Sequence, residues 1–119
     1  MKKLGKAYIK MDGALLESLP GAKLDLGGTV REPVIGNNQV LGYSEKVKEA
    51  TLECEIVVGT LTKLEDFRLA TNATITFESD TGQVWAIRNA WLVEPPVITD
   101  GEGGKVPLKF AGPPADQVS

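Results

Sequence analysis

A chain of 119 residues has room for one domain, since single domains usually run to about 100–150 residues, and a multidomain enzyme is excluded. Hydrophobic residues at 42% and charged residues at 24% are ordinary for a chain able to bury roughly two-thirds of its unfolded surface in one core. The net charge of -3 gives no counterion-release drive toward a phosphate backbone, and the absence of histidine removes Ser-His-Asp, Cys-His and histidine-zinc chemistry together.

Cys54 stands alone, so neither an intrachain disulfide nor a Cys-x-x-Cys pair exists, which suits a reducing cytoplasm. Lys2, Lys3 and Lys6 make the N-terminus basic. The following Leu4 to Met11 alternates with polar residues instead of forming the apolar run of a signal peptide. No stretch reaches the roughly 18 apolar residues of a membrane helix, so a soluble protein without a membrane anchor is expected.

Along the chain, the 13 glycines and 7 prolines point to short strands and many turns. Leu4 to Met11 reads as a strand entering the Asp12-Gly13 turn, with Ala14 to Leu16 returning. Ala22, Leu24 and Leu26 alternate with polar residues until Gly27-Gly28 ends a half-buried strand. From Arg31 to Gly42 the periodicity fades among Pro33, Gly36, Asn37 and Asn38, which describes an extended loop or hairpin arm. Charges alternate from Tyr43 to Ala50. Leu52, Cys54, Ile56 and Val58 then share one strand face against Glu53 and Glu55.

Thr62 with Glu65 fits a capping box that opens one short helix through Leu64 and Phe67, ending near Ala70. Ala73, Ile75 and Phe77 alternate up to a turn at Asp80 to Gln83, and Val84 to Glu94 returns as a long strand with Trp85 and Trp91 on one face. That register assigns both tryptophans to the core, beside Ile87 and Val93. After Pro95-Pro96 and the turn Gly101 to Gly104, Val106, Leu108 and Phe110 form a last strand. Pro107 requires that strand to lie at an edge, at a bulge, or with its nitrogen facing away from a neighbour. The tail 112–119 is expected to be ordered only if something packs on it. Short strands plus one helix define a mainly β fold, an antiparallel β-sandwich or partly open barrel in one domain spanning 1–119.

No catalytic constellation emerges. Asp80-Thr81-Gly82 matches the aspartic-protease tripeptide, but Glu78-Ser79 precedes it where that chemistry needs apolar residues; ordinary hairpin-turn chemistry accounts for it. Glu53 and Glu55 share a strand side as a glycosidase pair would, yet nothing separates their pKa values. Glu65-Asp66 suits the first turn of a helix, and Gly101 to Gly104 has no helix behind it to cradle phosphate. Cys54 falls in the apolar register as a small buried hydrophobe.

A series of segments does carry a likeness: Gly5-Lys6-Ala7-Tyr8-Ile9, Leu19 to Gly28, Gly42-Tyr43-Ser44-Glu45-Lys46, Leu52-Glu53-Cys54-Glu55, Thr76 to Gly82, Arg88-Asn89-Ala90-Trp91, Glu94-Pro95-Pro96 and Gly112-Pro113-Pro114-Ala115. Taken in order, they resemble the tail tube proteins of Mu-like contractile-tailed phages along nearly the whole chain. The resemblance implies a structural virion protein and no enzyme or cofactor. It would form hexameric rings stacked into a tube inside a contractile sheath, assembled in the bacterial cytoplasm with sheath, baseplate or tail-completion and tape-measure partners. DNA would pass through the lumen without sequence-specific binding.

Within that expectation, 31–42 becomes the ring-stacking arm, with Arg31, Val34, Ile35, Asn37, Asn38, Val40, Leu41 and the adjoining Tyr43, because its apolar residues are out of place in a free loop. Lys46, Lys48, Glu53, Glu55, Thr74, Thr76 and Glu78 are assigned to a mostly acidic lumen wall that lets DNA slide. A competing class is a monomeric β-sandwich binding a ligand such as carbohydrate on Trp85, Trp91 and Tyr43. An Asp80 protease is the remaining alternative.

Overall fold

Period-two alternation becomes strand wherever one side of the chain is apolar. In the structure, a computed structural model describing residues 5–16, 18–59, 64–101 and 103–118, β1 (Ala7–Met11) turns at Asp12-Gly13 into β2 (Ala14–Leu16). There follow β3 (Lys23–Asp25), the paired β4 (Gly28–Gly36) and β5 (Gln39–Lys48), and β6 (Ala50–Val57). The short helix α1 (Leu64–Arg68) precedes the hairpin β7 (Ala73–Ser79) and β8 (Val84–Leu92), then β9 (Lys105–Gly112) and β10 (Asp116–Gln117). The Thr62 cap lies outside the described residues.

All pairings are antiparallel, in the sheet order β2-β1-β7-β8-β9-β6-β3. The sheet folds where β8 meets β9, which pair only at Trp91↔Ala111 and Leu92↔Phe110. Inward residues of the two halves then meet: Ile9, Ile75, Phe77 and Ile87 from one, Leu52, Ile56, Val106, Leu108 and Phe110 from the other, in a single core cluster with Phe67 of α1. Each fully buried large side chain contributes about 1.5–3 kcal/mol. The chain between β2 and β3 crosses to the other half, bridging Ser18 to Ile56 on β6, so the sandwich is partly wrapped without closing into a barrel.

Pro107 pairs with Glu55 of β6, beyond the end of the β8 ladder, where β9 has a strand neighbour on one side only. The tail is ordered by strand addition: β10 pairs with Trp85 and Ala86 of β8, and the Ala115 N–H donates to the Leu26 carbonyl.

One sequence expectation is corrected. Trp85 packs against Phe77, ring centroids 6.1 Å apart, but Trp91 is 43% exposed. Asn89, at φ 56°, makes a bulge: Ala73 pairs with Ala90 while Ile75 pairs with Ile87. The inserted residue reverses the alternation, sending Ala90 and Leu92 inward and Trp91 and Val93 outward.

Candidate functional site

The segment read as a loop or hairpin arm is a hairpin ladder longer at both ends, from Gly28↔Lys48 to Gly36↔Gln39. Its turn is Asn37-Asn38, with Asn38 at φ 62°, a left-handed conformation asparagine tolerates. Nine paired residues span about 30 Å. β4 and β5 pack along their length only on each other. The arm therefore stretches the molecule to 62 × 37 × 27 Å with a radius of gyration of 17.4 Å, against about 13–14 Å for a compact chain of this length.

The register sorts the arm into two faces. Thr29, Arg31, Pro33 and Ile35 lie with Val47, Glu45, Tyr43 and Val40 on the first; Val30, Glu32, Val34 and Gly36 lie with Lys46, Ser44, Gly42 and Gln39 on the second. The register slips between Val34 and Ile35, leaving Leu41 as the extra residue. Its side chain sits 2.9 Å from where a Gly36 Cβ would be, which puts it on the second face. Seven large hydrophobic side chains are exposed on the arm: Val30, Val34, Ile35, Val40, Leu41, Tyr43 and Val47. A two-stranded ribbon cannot bury either of its own faces and is marginal alone.

Charges on the arm are paired within it. Arg31 Nε lies 3.5 Å from Glu45 Oε1 on the first face and Lys46 Nζ 2.8 Å from Glu32 Oε1 on the second; the Arg31 guanidinium also stands 5.9 Å from the Tyr43 ring centre. At the root, Lys48 Nζ meets Asp25 Oδ2 at 2.7 Å. This contact holds the Asp25 carboxyl below the usual carboxylate range, helped by the Gly27 N–H, and raises the Lys48 ammonium.

Thus all eight residues assigned to a stacking arm lie on one ribbon, joined by Val30 and Val47, which the sequence reading passed over. The alternation of Tyr43, Glu45 and Val47 against Ser44, Lys46 and Lys48 was the available signal for Val47. The residues assigned to a lumen wall are dispersed. Thr74, Thr76 and Glu78 point outward from β7, Glu53 and Glu55 outward from β6, with β8 and β9 between those strands; Lys46 and Lys48 belong to the arm. Glu78 pairs with Lys10 at 3.1 Å and Glu53 with Lys109 at 3.6 Å.

Elsewhere the chemistry is structural. Asp80 Oδ1 accepts the Gly5 N–H at 3.3 Å, and Ser79 Oγ lies 2.7 Å from Thr81 Oγ1 and accepts the Gln83 N–H at 3.1 Å, a turn closed by Gly82 at φ 96°. Burial pushes the Cys54 thiol up to about 11. Trp85 in the core, Trp91 on the outer face of the sheet and Tyr43 on the arm form no common platform for a ligand.

A partly wrapped antiparallel sandwich with an apolar ribbon that its own body leaves uncovered defines a β-structural domain whose distinctive surface is an arm. The chain belongs to the phage tail tube protein family, whose sequence model matches residues 1–117. It is 36% identical over 104 residues to the tail tube protein of Escherichia phage Mu, covering 87% of this chain and 85% of that one. It is 38% identical over 107 residues to the Mu-like prophage FluMu tail tube protein of Haemophilus influenzae, covering 90% and 88%. As a member of that family it is a structural component of a phage tail tube, and the relatives it resembles are of the Mu-like type.

Proposed function

We propose that the protein forms hexameric rings that stack into the tube of a contractile tail, the conduit through which DNA leaves the particle, with β4–β5 as the ring-to-ring arm. The observation that carries this reading is the arm itself, about 30 Å of ribbon with apolar side chains exposed on both faces and nothing among the described residues to cover them. Isolated, such a ribbon is an aggregation hazard; a symmetric assembly that covers it turns the hazard into a joint. Assembly takes place in the host cytoplasm, and the tube meets sheath, baseplate or tail-completion and tape-measure proteins. The lumen wall draws on the outward faces bearing Thr74, Thr76 and Glu78 on β7 and Glu53 and Glu55 on β6, while Lys46 and Lys48, assigned to that wall from the sequence, go with the arm. Two of its three carboxylates, Glu78 and Glu53, are paired with Lys10 and Lys109, so the wall is less acidic than its own residues alone suggest and offers no cation array that would retain a phosphate backbone.

Negative-stain electron microscopy of the purified protein over a concentration series tests the reading. Hollow rings or tubes are expected, and replacement of residues 31–42 by a two-residue turn should leave rings or folded monomers without tubes. Monomers at every concentration, even with preformed tail ends added as seeds, would overturn it.

A further inference from the structure

We propose that the β4–β5 arm of one copy wedges between two other copies of this chain, presenting its first face to one and its second face to the other. This rests on the stacking role proposed above and adds to it the number of partners and the division of labour between the faces.

Three features lead there. Both faces are apolar: Ile35, Val40, Tyr43 and Val47 are 62% exposed or more on the first, and Val30, Val34 and Leu41 are exposed on the second. An arm laid flat on one partner would bury one set and leave the other in water. Each face also has its charges matched in place, Arg31 with Glu45 on the first and Lys46 with Glu32 on the second, so each can be covered without stranding an unpaired charge. Finally, two open troughs on the body are each too small to take the arm. One, of about 370 Å³, is lined by Pro20, Gly21, Glu55, Pro95 and Pro107 among others. Another, of about 400 Å³, lies beside Tyr8 and Phe77. Both are open and short against a ribbon of about 30 Å. A slot that grips both faces has to be made by two bodies side by side, so a neighbouring ring must close before the arm has a complete receptor.

Single-face variants separate this from simple stacking. Ile35→Asp burdens the first face and Val34→Asp the second, adjacent residues on opposite sides of an exposed ribbon. Circular dichroism and thermal melting should show both folded, and electron microscopy should find both unable to form tubes; if either variant misfolds, Tyr43→Ser and Leu41→Ser replace the pair. In parallel, chains carrying a photo-crosslinking residue at both 34 and 35 are doped sparsely into wild-type tubes and irradiated. Three-chain products are expected. Normal tubes from one variant only, or two-chain products alone, would overturn the wedge while leaving the stacking arm in place. Normal tubes from both variants would overturn the stacking role as well.

Discussion

Lys48 Nζ stands 2.7 Å from Asp25 Oδ2 while Oδ1 of the same carboxylate accepts the Gly27 N–H at 3.0 Å, so one side chain ties both legs of the arm at its root. The hydrogen bond with Lys48 lowers the Asp25 pKa and raises that of Lys48. A depressed carboxylate contributes above its unfolded pKa and loses that contribution as pH falls through the folded value. A raised ammonium contributes below its unfolded pKa and loses it as pH rises through the folded value. The tether should therefore be at full strength from about pH 4 to about pH 10 and be lost progressively beyond that window, as pH falls through the lowered Asp25 value or rises through the raised Lys48 value. Both groups face solvent, so Asp25→Asn should leave the melting midpoint nearly unchanged while speeding amide exchange at Gly27 and along the first rungs of β4–β5. Hydrogen-exchange mass spectrometry or NMR reads this directly, and unchanged exchange would mean that the backbone alone fixes the root.

Gly27 is the tighter constraint at the same root. At φ 68° an added Cβ would lie 2.7 Å from the Ala50 nitrogen and 2.7 Å from the Glu49 carbonyl carbon, whereas at Gly28, φ 111°, nothing lies within 4 Å. Gly28→Ala meets only the conformational cost of a positive φ, about 1 kcal/mol. Gly27→Ala meets that cost plus a backbone collision, and should lose about 2–3 kcal/mol. Urea denaturation of the two variants should rank them in that order; equal midpoints would show that the Glu49–Ala50 backbone yields freely.

Phe110 is completely buried where β9 meets both β6 and β8. Phe110→Ala should destabilise by about 3–5 kcal/mol, a large share of the roughly 5–15 kcal/mol typical of a domain. A loss below about 1 kcal/mol in denaturant titration would mean that the two halves of the sheet collapse to fill the space.

These residues also mark what the sequence could and could not reveal. Leu52, Cys54 and Ile56, or Val106, Leu108 and Phe110, alternate with polar neighbours because one side faces a core, and that imprint is readable by eye. The arm carries no such imprint: apolar and charged residues occupy both its faces, so 31–42 looks irregular although it is ladder apart from one slip at Val34/Ile35. Trp91 faces outward against the simple alternation because one residue, Asn89, shifts the register; the adjacent polar pair Arg88-Asn89 inside an apolar strand is the trace it leaves. Alternation also tells which residues share the outward side of one strand, but not where that side lies relative to another strand. Glu53 and Thr76 accordingly looked like one face, while the sheet order sets their strands apart.

Which outward face meets the lumen can be read by chemistry, because Cys54 is silent. It is 5% exposed, and burial raises its pKa to about 11, so at neutral pH it offers almost no thiolate to a reagent. The wild-type protein should react with maleimide only after denaturation, and one introduced cysteine then reports alone. Thr74→Cys tests β7 and Glu55→Cys tests β6, both exposed positions on outward strand faces. In assembled tubes a lumenal thiol should accept a small maleimide that diffuses in from the ends and should resist a bulky polyethylene-glycol maleimide. A thiol on the outer wall should accept both, and one in a subunit contact neither. Size-selective labelling at both positions supports the proposed wall. Reaction of Glu55→Cys with both reagents would move Glu53 and Glu55 to the outer wall and leave the lumen to β7.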